Sequence, residues 1–252
     1  MESKVKEIFF HNCVSVFGGY FAVLALNLLS SWAPHTFPSI WRVFYLTEMN
    51  WRSAYYSMCV LKLFYIVLAM VGLYIVYKYF DRGEVNYHFF CLSALLAWGG
   101  LFVMSMGNMF HIILVLDGVS LLLVGMAALN VCGAEERVIS YALHYYLLSI
   151  FTSVLAYTGC YVIYLVTRTL NIASIIFMAE HSAAGGVFCN NPWIVLGGLL
   201  IATKVIFLLG LFPFQRYVLD LCATTNYGFI FMFLVVVKLP VLVVAAQMMK
   251  VF

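Results

Sequence analysis

Seven long apolar runs constrain the fold of this chain more than any other feature of its sequence. They cover roughly residues 12–32, 56–79, 88–106, 109–130, 142–167, 193–212 and 227–250. A helix of about 20 apolar residues spans the hydrocarbon core of a bilayer, which is about 30 Å thick. Charged residues make up only 9% of the chain, against about 25% in an ordinary soluble domain. The sequence therefore predicts an all-α polytopic membrane protein with about seven transmembrane helices.

The rest of the composition excludes several other classes of protein. A net charge of +3 provides no basic patch, so we expect no nucleic-acid partner. The seven cysteines stand singly, without a Cys-x-x-Cys pair, and are typical of small apolar filler residues rather than of a metal, iron–sulfur or disulfide framework. Residues 1–10 mix glutamates with lysines and lack the arginine-rich composition of a transit peptide.

Two lysines at predicted membrane depth and two prolines lie in the mostly apolar stretch 201–251. Lys204 and Lys238 stand at predicted membrane depth, where a lysine costs roughly 2.5–3.5 kcal/mol and needs a partner, a water-filled cavity or a function. Pro213 and Pro240 each lack an N–H, and a broken membrane helix requires protein or water over its exposed backbone. The pattern predicts a polar path beside proline-broken helix. The alternative is that the lysines reach the interface and the prolines are simple kinks.

Asp117 and His144 are two further candidates for proton chemistry in the apolar runs. Asp117 lies in the middle of the fourth run, where a lone carboxylate is normally paired or protonated. His144 opens the fifth run, and its near-neutral reference pKa suits a proton carrier as well as a satisfied interfacial histidine. For both residues the alternative to a chemical role is a structural hydrogen bond.

Four stretches of the sequence stand in a characteristic order. Asp117 follows Ser105 by twelve residues. The run 144–153 then reads His-Tyr-Tyr-Leu-Leu-Ser-Ile-Phe-Thr-Ser, and the run 207–214 reads Phe-Leu-Leu-Gly-Leu-Phe-Pro-Phe. Asp220 lies seven residues after the proline of that second run, and Lys238 lies eighteen residues after Asp220.

This order resembles the antiporter-like subunits of proton-pumping NADH:quinone oxidoreductase (complex I), and NADH dehydrogenase subunit 2 in particular. Subunit 4 of the same complex is the nearest rival, but its acidic residue and next lysine are placed differently. The resemblance covers about residues 94–246. The chain departs from the family in having Asp117 in place of glutamate and His144 and Leu208 in place of lysines.

The resemblance implies two segments and an incomplete architecture. Residues 1–90 would form N-terminal helices of unassigned resemblance, and residues 91–252 a first antiporter-like helical repeat with a proline-broken helix. The resemblance implies that each member of the family consists of two inverted five-helix repeats. A second repeat would therefore come from a separate polypeptide or have been lost.

The resemblance also implies a function. The chain would be a membrane-arm subunit of the proton-translocating NADH:ubiquinone oxidoreductase in the mitochondrial inner membrane, rather than in a bacterial one. Asp117 and Lys204 would form an acid–base pair of a proton half-channel, His144 would modulate the lysine, and Lys238 would pass the proton along buried water. No cofactor or redox chemistry is expected on this chain. NADH, FMN, iron–sulfur clusters and ubiquinone would bind partner subunits of the complex, which with membrane lipids are the expected partners.

Two other functions stay open. A structural remnant would brace the membrane arm without pumping, and the three departures from the family favour it. A cation/proton antiporter subunit of the related multi-subunit type is the other.

The position of the Lys204 side chain distinguishes a proton-pumping subunit from a structural remnant. Leu208 takes the family's lysine site, and Lys204 lies four residues earlier on the same helix face, about 6 Å away along the axis. We expect its ammonium to point into the bundle, near the mid-plane, within one or two waters of His144.

Overall fold

The described part of the chain is built from helices and short connections. The computed structural model describes residues 52–81, 87–129, 136–181, 191–223, 225 and 227–249, together with residues 11, 14 and 18. Its helices are α1 (Arg52–Asp81), α2 (Tyr87–Ser105), α3 (Met109–Leu129), α4 (Glu136–Thr167), α5 (Ile172–His181), α6 (Pro192–Leu209), α7 (Gln215–Ala223), α8 (Tyr227–Phe231), a π-helical segment (Met232–Val237) and α9 (Lys238–Met248).

Six helical stretches in these ranges are long and apolar enough to cross a membrane. They are Val60–Lys78, His88–Ser105, Met109–Leu129, Ile139–Thr167, Pro192–Leu209 and Tyr227–Met248. They correspond to the second to seventh predicted runs, while the first run lies outside the described residues except at positions 14 and 18. The prediction of an all-α polytopic membrane protein is confirmed. The segment boundary predicted after residue 90 falls within α2.

The membrane-spanning helices form one bundle. Helices α1, α2, α3 and α4 each pack against the next, and α6 packs most extensively against α4. The last span returns to the beginning of the bundle, because α9 contacts both α6 and α2 and the π-helical segment contacts α1 and α2. Buried side chains such as Phe89, Leu123, Phe229 and Val244 fill the space between these helices.

Two connections fix the register of α3 against α4. The backbone N–H of Met109 donates to the Leu170 carbonyl oxygen at 3.0 Å, and the N–H of Ile172 donates to the Gly107 carbonyl oxygen at 2.9 Å. Asn108 caps α3, because its Oδ1 accepts from the Phe110 N–H at 3.0 Å. These bonds hold the start of α3 beside the end of α4, so the antiparallel helices have a defined offset.

The close packing of α4 on α6 depends on two glycines. A Cβ added to Gly159 would lie 2.6 Å from the carbonyl oxygen of Gly197. A Cβ added to Gly197 would lie 2.7 Å from the Ile163 side chain and 3.0 Å from the Gly159 carbonyl oxygen. Small residues allow membrane helices to approach until their backbones touch. Here the contact brings polar groups of α4 within reach of α6.

The predicted helix break near Pro213 is confirmed. Helix α6 starts with Pro192 after the Asn191 cap, and it ends where Gly210 adopts a left-handed conformation with φ 66°. Glycine is favoured at this position because it has no Cβ to oppose a positive φ. A short connection containing Pro213 follows, and a new helix begins at Gln215.

Pro240 does not break its helix, contrary to the sequence prediction. It is the third residue of α9, which begins directly after the π-helical segment Met232–Val237. Pro240 itself is buried. A proline is tolerated in the first turn of a helix, where its missing N–H removes little, and the wider π-helical turn before it adjusts the backbone. The last span is therefore continuous from Tyr227 to Met248.

Replacing Gly159 by alanine should weaken the α4–α6 packing. The new methyl group would meet backbone rather than a flexible side chain, so the helices must separate, and we expect a loss of about 1–3 kcal/mol in stability. Gly118→Ala is the matched control, because a Cβ there has open space within 4 Å. Heating membranes that contain each variant and measuring the fraction of folded chain checks this. Equal stability of the two variants would contradict the close backbone contact.

Candidate functional site

Lys204 is the only charged residue that is buried among those the structure describes. Only 1% of its side chain is exposed. It lies on the same face of α6 as Gly197, Ile201 and Leu208, all of which are buried. The side chain therefore points from α6 into the bundle, which is the orientation expected from the sequence.

The Lys204 ammonium is surrounded by oxygen atoms. Nζ lies 2.8 Å from Oδ1 of Asp117. It donates to Oγ of Ser153 at 2.7 Å and to Oγ and the carbonyl oxygen of Ser149 at 3.0 and 3.2 Å. The ring centroid of Phe207 lies 5.9 Å from Nζ, within the range of a cation–π interaction. A lysine ammonium has three N–H donors, so these contacts satisfy it fully.

Asp117 forms the outer end of this arrangement. Its Oδ1 also accepts from Oγ of Ser153 at 2.5 Å, and its Oδ2 accepts from the hydroxyl of Tyr157 at 2.8 Å. The Asp117 side chain is 28% exposed, against 1% for Lys204. The ion pair is thus closed at its cationic end and partly open at its anionic end.

Three helices supply the polar side chains of the site. Ser120 of α3 joins it, because its Oγ accepts from Oγ of Ser149 at 2.9 Å and donates to the Asp117 carbonyl oxygen at 2.8 Å. We call this set the Lys204 cluster. Its members are Asp117, Ser120, Ser149, Ser153, Tyr157 and Lys204.

The hydrogen-bonding residues of α4 were missed as site residues by the sequence analysis. Ser149, Ser153 and Tyr157 recur at intervals of four, which places them on one face of a helix. Serine and tyrosine are ordinary in membrane helices, and only this spacing distinguishes the polar face from scattered polar residues. Its signal is the four-residue spacing of these three hydroxyls, in a helix that also contains other serine, threonine and tyrosine residues.

His144 is not part of the Lys204 cluster. Its side chain is exposed, and its Nδ1 lies 2.6 Å from the carbonyl oxygen of Ser140 on the same helix. His144 and Ser149 are five residues apart, which separates them by about 140° around the helix axis. The imidazole therefore points away from the face that contacts Lys204.

Lys238 lies apart from the Lys204 cluster. It is half-buried at the first residue of α9, and its Nζ lies 5.3 Å from the ring centroid of Phe233. No hydrogen bond or ion pair found among the described residues joins Lys238 to the cluster. The structure thus brings Asp117 and Lys204 together and leaves His144 and Lys238 outside their direct contacts.

The described residues also bear on metal binding. Within the described ranges, no three His, Cys, Asp or Glu side chains are close enough to hold a metal ion. Cys91, Cys160 and Cys222 are free thiols. The site that the structure does show is an acid–base pair with hydroxyl partners.

The comparisons with family models and with curated proteins identify no relative of this chain. No protein-family model matches the sequence, and no curated protein matches it either. The family resemblance described above therefore stays a prediction.

The ion pair predicts an asymmetric response to substitution. Asp117→Asn leaves the buried ammonium without its counter-charge, and we expect a loss of about 3–5 kcal/mol in stability. Adding Lys204→Met removes the unpaired charge and should restore most of that loss. Thermal unfolding of the single and double variants in membranes measures both effects. A double variant as unstable as the single one would show that the charge pair does not govern stability here.

Proposed function

We propose that the chain is a membrane-arm subunit of a proton-translocating NADH:ubiquinone oxidoreductase and contributes acid–base residues to a proton half-channel. The Asp117–Lys204 pair is the observation that carries this proposal, since a buried ammonium in a membrane bundle is expensive and normally marks an ion or proton path. The sequence resemblance supplies the identity of the complex. The geometry supplies a protonatable group and a counter-charge for it.

The difference in exposure between the two partners suggests how a proton would be released. Oδ1 of Asp117 lies 2.8 Å from the Lys204 Nζ, and this negative charge favours the protonated form of the lysine. If a change next to the partly exposed carboxylate draws it away or neutralises it, the ammonium loses its main electrostatic support in a medium that solvates charge poorly. Lys204 then gives up its proton, and return of the carboxylate favours uptake of the next one. This switch uses groups of the chain itself.

The proposal also includes partners and a location. The Asp117 side chain is partly exposed within the membrane-spanning stretch Met109–Leu129, and a charged group facing hydrocarbon is unfavourable. A neighbouring polypeptide of the same complex would cover it. The membrane would be the mitochondrial inner membrane, with the nucleotide, flavin, iron–sulfur and quinone chemistry on other subunits.

A structural remnant that braces the membrane arm is the second candidate. The separation between the Lys204 cluster and Lys238 favours it, because the described residues form no hydrogen-bonded connection between the two lysines. In that case the ion pair would hold α3, α4 and α6 together without changing its protonation during turnover.

Substitution of Lys238 distinguishes the two functions. Lys238→Arg keeps a positive charge but cannot release a proton at ordinary pH, and Lys238→Leu removes the charge altogether. If Lys238 passes protons on, both variants should assemble and lose most NADH-driven proton translocation. The measurement is the proton-to-electron ratio of membrane vesicles that contain the assembled complex.

The control for this experiment is Lys78→Leu, the same change at an exposed position near the end of α1. It should leave the ratio unchanged. Normal ratios in both Lys238 variants would favour the structural remnant and overturn the proposed pumping role.

A further inference from the structure

A buried hydroxyl that bonds to none of the described residues lies next to the Lys204 cluster. Tyr145 of α4 is completely buried, and its Oη has no hydrogen-bond partner among the described residues. Most buried polar groups in proteins bond to protein or to ordered water, because an unpaired buried hydroxyl is unfavourable. Phenylalanine would fill the same volume without this penalty. The hydroxyl therefore needs an explanation beyond packing.

Tyr145 continues the polar face of α4. Tyr145, Ser149 and Ser153 are spaced by four residues, so each lies about 6 Å along the axis from the next. Ser149 and Ser153 accept hydrogen bonds from the Lys204 ammonium. Tyr145 is thus one turn beyond the ammonium. The ring of Phe207, which lies 5.9 Å from the Lys204 Nζ, is also 4.9 Å from the Tyr145 ring.

Tyr145 also packs on the helix that leads toward Lys238. Helix α6, whose Phe207 ring centroid lies 4.9 Å from that of Tyr145, packs against α9, which begins with Lys238. Lys204 belongs to the same helix α6. Tyr145 therefore adjoins the helix that carries Lys204 and contacts the helix of Lys238.

We infer that the Tyr145 hydroxyl anchors buried water that connects Lys204 with Lys238 and relays protons between them. This inference rests on the proposed function. A hydroxyl accepts a hydrogen bond from one water while it donates to another. When a proton arrives from the Lys204 side, Oη binds it and passes its own proton to the water on the Lys238 side. The tyrosine ends with one proton, as it began, so no other bond changes and no co-reactant is needed.

Tyr145→Phe tests the relay. It removes one oxygen that has no bond to the described residues, so assembly should be normal. We expect loss of most NADH-driven proton translocation per assembled complex in vesicles, while NADH oxidation continues. A purely structural tyrosine predicts the opposite, because removing an unpaired hydroxyl would leave translocation unchanged.

Tyr65→Phe is the matched control. Tyr65 is equally buried, but its hydroxyl donates to the Ala97 carbonyl oxygen at 3.0 Å, between α1 and α2. Its removal should lower thermal stability and leave the proton-to-electron ratio per assembled complex unchanged. A similar loss of translocation in both variants would overturn the specific role of Tyr145.

The Lys238→Arg variant separates failure of the relay from failure of the proposed function. If Lys238→Arg stops translocation and Tyr145→Phe does not, the relay is wrong and the proposed function stands. If both variants pump normally, the proposed function fails as well.

A structure of the assembled complex with resolved water provides a readout independent of activity. We expect a water oxygen about 2.7–3.0 Å from Oη of Tyr145. A dry hydroxyl, or one bonded directly to protein, would overturn the relay even if Tyr145→Phe did not assemble.

Discussion

The burial of one ammonium group governs the rest of this structure. An isolated charge inside a bilayer is so unfavourable that its side chain must find counter-charge and hydrogen bonds before the bundle can close. Lys204 obtains the first from α3, through Asp117, and the second from α4, through Ser149 and Ser153. These contacts require α6 to lie very close to α4, and they require α3 to be offset correctly along α4. The glycine contact satisfies the first condition and the paired connections at the ends of α3 and α4 satisfy the second.

The sequence predicts the coarse architecture because the bilayer imposes strong and simple rules. Run length and hydropathy locate the spans. The cost of a charge at membrane depth also singles out Lys204 and Asp117 from the sequence alone. The break near Pro213 follows from a local rule, because proline lacks an N–H and clashes with the carbonyl group four residues before it.

The sequence is less informative about residues whose role depends on helix rotation. Ser153 and Tyr157 are ordinary polar residues until the packing of α3 against α4 places Asp117 beside them. His144 belongs to the same helix as Ser149, but it lies five residues earlier, so its side chain points to a different face of the helix. At Pro240 a local rule gives the wrong answer, because a π-helical segment upstream changes where the helix begins again. The first two outcomes depend on the position of each side chain around its helix axis, and the third depends on a local change of helix type, and composition and spacing describe these features only in part.

The Gly159–Gly197 contact has a consequence for how this chain can change over evolutionary time. Where two backbones touch, no other side chain fits, so both glycines must persist whether or not the protein moves protons. The hydroxyl of Tyr145 carries no such obligation, because it bonds to none of the described residues. A lineage that retained only the scaffold would be free to replace this tyrosine with phenylalanine. Substitutions at Tyr145 beside unchanged glycines would therefore record that the fold, and not proton transfer, has been under selection.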